Sequence, residues 1–471
     1  MIARNAGAAV VAAGQLLFPS AAVHLDAQAL RGDLDVRMHS VAFERYDGTA
    51  TVDLIRAAPI VGTLDLTAWD LGVDNLSVHL RTSATGDLAD DGAWPSTEPP
   101  LRLIEGYLEY SLPKLTARAG RTWMHTRLGY ESFDGARFDA RPIDFPLTVT
   151  AFGGWSLARG SSLPLTSPDG NPLGEFRPAQ RGVVVGGAVR ATMGPVRGSA
   201  VYRREVDTES SKLASEFVAV SANARIGGGV SLAAGADYDL GFAEWGGADA
   251  RLDWAGEIGG RQLGAGVSVR RYRPRFPLWS IWGAFSPLPY TSSSARASVS
   301  PIDHLTLRGT GERFTYGDPG TSSPLASFED EGWSWTAGAG WTGLTDWSFD
   351  TAFGAEFGPG ASSTHARVSA AWRPLDDLRA GAWLARGTRP LEYRIDDAVI
   401  RSAGFDLSLD VGRGITLDGG VAWFDEERGG GLEREFDHWR MRAGVRYGFG
   451  TSADRVDLHP AILRIPERPD R

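Results

Sequence analysis

Between residues 435 and 449 the chain alternates without a break. Trp439, Met441, Ala443, Val445, Tyr447 and Phe449 fall on one side of a two-residue period, and His438, Arg440, Arg442, Gly444 and Arg446 fall on the other. A period of two places successive side chains on opposite faces of a strand, so one face is apolar and rimmed by aromatics while the other carries arginines. In an ordinary sheet the apolar face meets a shared core, but a wall between lipid and water satisfies both faces at once. The pattern recurs upstream: Trp333, Trp335, Ala337, Ala339 and Trp341 oppose Ser334, Thr336, Gly338, Gly340 and Thr342, and Trp347, Phe349, Phe353 and Phe357 oppose Asp350 and Glu356.

Composition agrees with alternation spread over the whole length. The 471 residues include 59 Gly and 16 Trp at an ordinary 42% hydrophobic content, so apolar residues are dispersed instead of gathered in runs. No charge block or low-complexity linker divides the chain, which reads as one large domain. A net charge of −10 argues against a nucleic-acid binder, and the absence of Cys removes disulfides, thiolate metal sites, c-type haem attachment and cysteine nucleophiles. Residues 1–22 read as an export signal, with Arg4, an apolar stretch over 6–18, and Ser20 and Ala22 at signal-peptidase spacing. No later stretch is long and apolar enough for a spanning helix.

The connections between alternating segments are themselves alternately short and long. Short ones fall at 141–146, 194–195, 227–229, 256–259, 300–301, 343–346, 373–376 and 412–413; long ones fall at 159–181, 206–214, 274–289, 316–330, 388–397 and 426–434. A transmembrane barrel behaves this way, with tight periplasmic turns at one end and extended outer loops at the other. Keeping that parity assigns residues 49–57 and 276–285 to long loops. The expected fold is all-β: a single antiparallel up-and-down transmembrane barrel over residues 23–450, with about 22 strands, within roughly 18–24. Residues 33–44 and 435–449 are the first and last wall strands and pair to close it, the arginines of the last facing Asp33, Asp35 and Asp418. Residues 451–471 form a polar periplasmic tail.

Two stretches carry a family likeness. Leu108-Glu109-Tyr110 leads through Arg118-Ala119-Gly120-Arg121 to Phe133-Asp134-Gly135-Ala136-Arg137-Phe138. A tyrosine-bearing strand, a Gly-Arg closing the next and a Phe-Asp-Gly opening another resemble porin-like outer-membrane barrels of Gram-negative bacteria. The resemblance implies an outer-membrane location, contact with membrane lipid and lipopolysaccharide, and insertion by the barrel-assembly machinery. It also implies an aromatic residue closing the final strand, a place that Phe449 takes internally because the tail follows it.

Motifs for chemistry are few. Gly338-Ala339-Gly340-Trp341-Thr342-Gly343 matches a dinucleotide fingerprint in letters, but the glycines lie inside an alternating strand with no helix to follow. No HExxH and no Gly-x-Ser-x-Gly elbow occurs, and His125 reads as a solvated loop histidine, so neither an enzyme, a metal nor a cofactor is expected. The informative constellation is the polar face. Alternation directs Glu105, Glu109, Arg118, Asp237, Asp249, Arg251, Asp253, Arg270, Arg308, Asp350, Glu356, Arg367, Asp406, Asp410, Asp418, Arg440, Arg442 and Arg446 inward, where mixed charge sets a field across a pore or ladders adjacent strands together. It directs Trp254, Trp333, Trp335, Trp341, Trp347, Trp372, Trp423, Trp439, Tyr447 and Phe449 to the lipid interface. Arg270, Arg271, Arg273 and Arg275 run into an aromatic stretch at 276–285, read as an outer-rim loop.

Two functions fit. The first is a passive channel for small hydrophilic solutes, sorted by inward loops and lumen charges. The second is a non-conducting sleeve or anchor for a partner protein in the lumen or periplasm. About 22 strands make a wide lumen with no plug domain preceding it, so the first reading requires something to fold inward.

Overall fold

The computed structural model describes residues 29–46, 52–69, 71–89, 101–142, 146–157, 182–208, 211–273, 289–317, 331–358, 361–389, 398–428 and 434–451. The expected signal segment, nearly all of the tail and the 276–285 stretch lie outside them. The strands are β1 (Ala29–Tyr46), β2 (Val52–Ala57), β3 (Pro59–Trp69), β4 (Leu76–Asp87), β5 (Leu101–Leu112), β6 (Leu115–Thr126), β7 (Gly129–Ala140), β8 (Leu147–Ser156), β9 (Gly182–Met193), β10 (Val196–Asp207), β11 (Leu213–Gly227) and β12 (Val230–Asp239). They continue as β13 (Glu244–Ile258), β14 (Arg261–Tyr272), β15 (Tyr290–Ile302), β16 (Leu305–Tyr316), β17 (Glu331–Trp341), β18 (Trp347–Gly358), β19 (Ala361–Leu375), β20 (Leu378–Arg389), β21 (Ala398–Gly412), β22 (Ile415–Arg428) and β23 (Arg434–Gly450).

Apart from β2 and β3, which both pair with β1, each strand pairs antiparallel with the next, and β23 pairs with β1 from Arg31↔Gly450 to Val41↔Arg440, closing the sheet on itself. β2 and β3 are one stave. β2 pairs with the upper part of β1 (Val41↔Ala57 to Tyr46↔Val52), and after Ala58 β3 continues along the same partner from Met38↔Ile60. The barrel therefore has 22 staves. Residues 52–57 are thus not part of a long first loop: parity fixed how many strands cross, but β1 and its neighbour extend beyond the common strand length and carry the pairing upward. At one end the turns are tight, as at Gly259 and Gly260, whose φ values of +61° and +77° suit a two-residue hairpin connection. At the other end the connections are mostly long, with compact exceptions between β6 and β7, between β12 and β13, and between β18 and β19.

The two faces differ as the alternation requires. Leu108, Val185, Val220, Leu252, Val267, Phe353, Leu384, Phe405, Met441 and Val445 point outward and are exposed, although they are large and apolar. A twelve-residue strand tilted about 40° rises roughly 30 Å, enough for a hydrocarbon layer. Rings gather near both strand ends on this outer side: Trp341, Trp347, Phe349 and Trp372 form a chain with centroids 5.6–5.7 Å apart toward the tight turns, and Trp333 stacks on Phe357 at 4.5 Å toward the long connections. An apolar outer belt, aromatic rims and a charged interior make a membrane-spanning barrel of the outer-membrane type.

Candidate functional site

A circular barrel of 22 staves spaced 4.8 Å and tilted about 40° measures about 44 Å across its backbone. Part of that width is taken up by the wall itself. The β5–β6 ladder ends at Gly106↔Arg121, whereas the β6–β7 ladder continues to Thr126↔Gly129. Beyond Arg121 the hairpin leaves β5 and lies on the inner surface of the neighbouring staves.

The departure is built from glycine. Gly120, with φ +129°, pairs with Gly135, and Gly135 pairs with Gly154. A Cβ at Gly120 would collide with the Gly106 carbonyl, one at Gly135 with the Gly153 carbonyl, and one at Gly154 with the Asp134 carbonyl. Three backbones approach too closely there for any side chain, which lets the sheet fold sharply. Arg121 fastens the bend. Its Nε and Nη2 donate to the two Asp134 carboxylate oxygens at 2.7 and 2.9 Å, and its Nη1 donates to the Leu103 carbonyl at 2.8 Å, covering a β5 acceptor at the level where the ladder stops. The Gly-Arg and Phe-Asp-Gly stretches that carried the family likeness are this joint.

One face of the hairpin is packed on the wall. Met124 and Phe133 meet Phe152 of β8 and Val184 of β9, with Phe133 wholly buried and its ring centroid 5.5 Å from that of Phe152. Leu128 packs against Ala188, Val201 and Ala219 of β9, β10 and β11, whose small side chains leave a groove. Glu131 pairs with Arg203 of β10, both nearly buried; Arg203 also donates to Ser215 Oγ at 3.1 Å and lies over the Phe217 ring at 5.1 Å. At the tip, Arg127 Nη2 lies 2.6 Å from Asp249 Oδ1 of β13, and its Nε lies 3.8 Å from Asp237 of β12. Gly235 makes room for that guanidinium, which a Cβ would strike, and the Gly247 N–H donates to Asp237 at 2.7 Å.

The other face of the hairpin, with Trp123, His125 and Tyr130, looks onto a cavity of about 1370 Å³ bounded opposite by β1, β3, β4, β5 and β23. Trp123 and Tyr130 stack at 5.3 Å. On the wall, His79 stacks on Tyr107 at 4.6 Å and lies within hydrogen-bond distance of Thr67 and Ser77, and Arg118 sits over the Tyr107 ring. Charges here are laid in pairs along the strands: Arg118 to Glu109 at 2.6 Å, Arg137 to Asp139 at 2.9 Å, Arg37 to Asp35 at 2.8 Å, and Arg446 across the seam to Asp35 at 3.3 Å. Arg118–Glu109 and Arg446–Asp35 join directly paired residues of adjacent staves, whereas Arg137–Asp139 and Arg37–Asp35 link residues two apart on one strand.

The residues directed inward by alternation all lie on the inner face, but the structure does not bring them to one place. Glu105, Glu109, Arg118 and Arg446 line the cavity, and Asp237 and Asp249 receive the hairpin tip. Arg251 bonds Asp253 at 2.7 Å, Asp253 also pairs with Arg296, and Arg270 lies over the Tyr272 ring. Arg308 reaches Asp350 at 2.7 Å past Gly338 and Gly340, so the fingerprint glycines sit within β17 and make space for an ion pair. Arg367 covers the Trp383 ring, and Glu356 lies opposite Ser334. At the seam the expected pattern holds only in part. Arg446 does face Asp35, but Arg442 bonds Asp406 at 2.8 Å instead of Asp418, and Arg440 lies over Phe424 and donates to His438 Nε2 at 3.1 Å. Asp418 packs on Gly444, and Asp410 accepts the Gly412 N–H at 2.9 Å in a turn. The aromatics assigned to the interface all point outward with their strand parity.

His125 stands on the cavity side of an inward hairpin, not in an outer loop. Sequence reasoning missed Arg127, Glu131 and Arg203, which fix the hairpin. The signal that could have found it was the glycine recurring in successive strands at Gly106, Gly120, Gly135 and Gly153-Gly154.

No protein-family model matches the sequence, and no curated protein matches it. Among solved structures the chain is similar to Occ/OprD-family outer-membrane porins. Acinetobacter baumannii OccAB4 is 8% identical with a TM-score of 0.43, the match covering 90% of this chain and 99% of that one. Pseudomonas aeruginosa OpdK, solved with vanillate, is 11% identical with a TM-score of 0.42, over 90% and 99%. Acinetobacter baumannii OccAB1 is 9% identical with a TM-score of 0.42, over 91% and 100%. Identities and TM-scores this low carry no argument by themselves, and the barrel rests on the strand register described above.

Proposed function

We propose that the chain is an outer-membrane channel through which small hydrophilic solutes diffuse passively, with the β6–β7 hairpin setting the bore and the inner charges sorting what enters. The observation that carries this reading is the hairpin folded onto the inner wall. A bare 22-stave barrel would be too wide to discriminate among solutes, and here a segment of the wall lies inside it and bounds one side of a cavity of about 1370 Å³, somewhat larger than small-molecule sites of roughly 300–1,000 Å³. Arginines and carboxylates arranged around that cavity attract and orient polar solutes without a fixed net sign. The outward aromatics then sit at the two lipid interfaces, and the tight turns face the periplasm.

The sleeve reading gains no support from this geometry, since the hairpin occupies space a folded partner would need. Liposome swelling tests the channel. Proteoliposomes are expected to swell in small sugars, with rates falling steeply as solute size rises. Vesicles that admit no sugar while the protein is folded and inserted would remove the proposal.

A further inference from the structure

The hairpin is fastened to the wall in two unlike ways. At its base the attachment is dry: Phe133 is fully buried against Phe152 and Val184, and the Glu131–Arg203 pair has 11% and 3% of its side-chain surface exposed. At its tip the attachment is wetter on one side: Arg127 and Asp237 are 17% and 10% exposed, but Asp249, which Arg127 meets at 2.6 Å, is 43% exposed, and beyond these groups Leu128 adds one apolar contact. A buried ion pair is little screened by salt, whereas an exposed one is weakened as the Debye length shrinks from about 10 Å at 0.1 M to about 3 Å at 1 M.

From this asymmetry we infer that Arg127 is a salt-sensitive latch: the tip of the β6–β7 hairpin detaches from Asp237 and Asp249 while its base stays docked, and the bore widens when it does. The inference rests on the channel reading for its consequence but not for its motion. Arg127 is the only residue of the two-residue connection that carries charge, and it reaches two carboxylates on two successive staves, so its loss leaves Leu128 as the remaining contact of that connection with the wall. Asp237 stays in place afterwards because the Gly247 N–H holds it. The Arg127 guanidinium then no longer faces Asp237 and Asp249, so the widened state is more negative on the β12–β13 side than the latched state. Ionic strength outside the membrane thereby tunes both the bore and its charge.

The chain has no cysteine, so a single introduced one reports the tip cleanly. The experiment places a nitroxide at His125→Cys in refolded barrel, in the parent and in Arg127→Ala and Asp249→Asn backgrounds, with heat-modifiable mobility confirming the fold of each. A second label at Ser132→Cys reports the base. In the parent, the mobile fraction at 125 is expected to rise several-fold between about 0.1 M and 1 M salt, while 132 stays immobile. Both latch variants should be mobile at 125 in either salt, and the swap Arg127→Asp with Asp249→Arg should restore the immobile, salt-sensitive signal. An immobile label at 125 in all backgrounds, or a mobile fraction indifferent to salt and to Arg127, overturns the latch. Bilayer recordings on the same samples separate the two claims: a moving tip in a barrel that does not conduct keeps the latch and sinks the channel, and conducting barrels with a fixed tip do the reverse.

Discussion

Replacing Phe133 with alanine should undock the hairpin without dissolving the barrel. Phe133 is completely buried and packs with Met124 of its own hairpin against Phe152 and Val184 on the wall, so truncation removes the ring's burial and leaves a cavity in a contact that Met124 alone then maintains. Phe-to-Ala changes in such settings cost about 3–5 kcal/mol. At 1.4 kcal/mol per tenfold, that lowers the docked-to-undocked ratio of the hairpin by roughly 140 to 4,000 times. The cost falls on docking, because the ladders of β6 with β7 and of β7 with β8 do not pass through the ring. Global stability in urea should therefore change little, and gel mobility should remain heat-modifiable. Single-channel records are the assay: Phe133→Ala should show frequent transitions to a higher conductance level, and Phe133→Leu, which keeps most of the volume, far fewer. A Phe133→Ala record indistinguishable from the parent, in a barrel shown to be folded, would refute the claim that this cluster holds the constriction.

Other consequences are more local. Gly135→Val places side-chain atoms where the Gly153 carbonyl already stands, so the bend cannot form and the variant is expected to lose heat-modifiable mobility altogether. Leu384→Arg puts a charge on the lipid side at the middle of β20 and should destabilise the barrel by about 2–4 kcal/mol in denaturant titrations, whereas Ala385→Gln on the opposite face of the same strand should be nearly silent. Arg308→Ala removes one partner of a half-exposed pair, so unfolding should shift by no more than about 1 kcal/mol while the reversal potential in a salt gradient moves toward cation preference.

Most of the wall was legible in the sequence because a barrel imposes the same two demands on every strand. Alternation in β17, β18 and β23 told lipid from lumen directly, and the interleaving of short and long connections fixed the parity even where strand ends were blurred. Residues 52–57 were misassigned because parity counts crossings and is blind to a strand that extends past the membrane beside an equally long neighbour. The inward hairpin stayed hidden for a different reason. Its strands alternate like any other pair, so Leu115–Thr126 and Gly129–Ala140 look like ordinary staves; what redirects them is a line of glycines that becomes a line only once register sets Gly120 beside Gly135 and Gly135 beside Gly154. The partners of Arg127 lie more than a hundred residues away on β12 and β13, a distance over which a periodic pattern carries no information about contact. Charge pairing at the seam shows the same limit. Parity put Arg442 and Asp418 on one face, but the choice of Asp406 over Asp418 depends on side-chain reach across Gly420, against which the Arg442 guanidinium lies.

The central claim is that this barrel conducts and that its own hairpin sets the bore. Single-channel conductance of the purified protein, compared with a variant in which residues 122–133 are replaced by a two-residue turn joining Arg121 to Asp134, tests both parts at once. The account predicts ohmic openings for the parent and a larger unitary conductance for the shortened chain; a silent bilayer for both folded proteins, or equal conductance in the two, would contradict it.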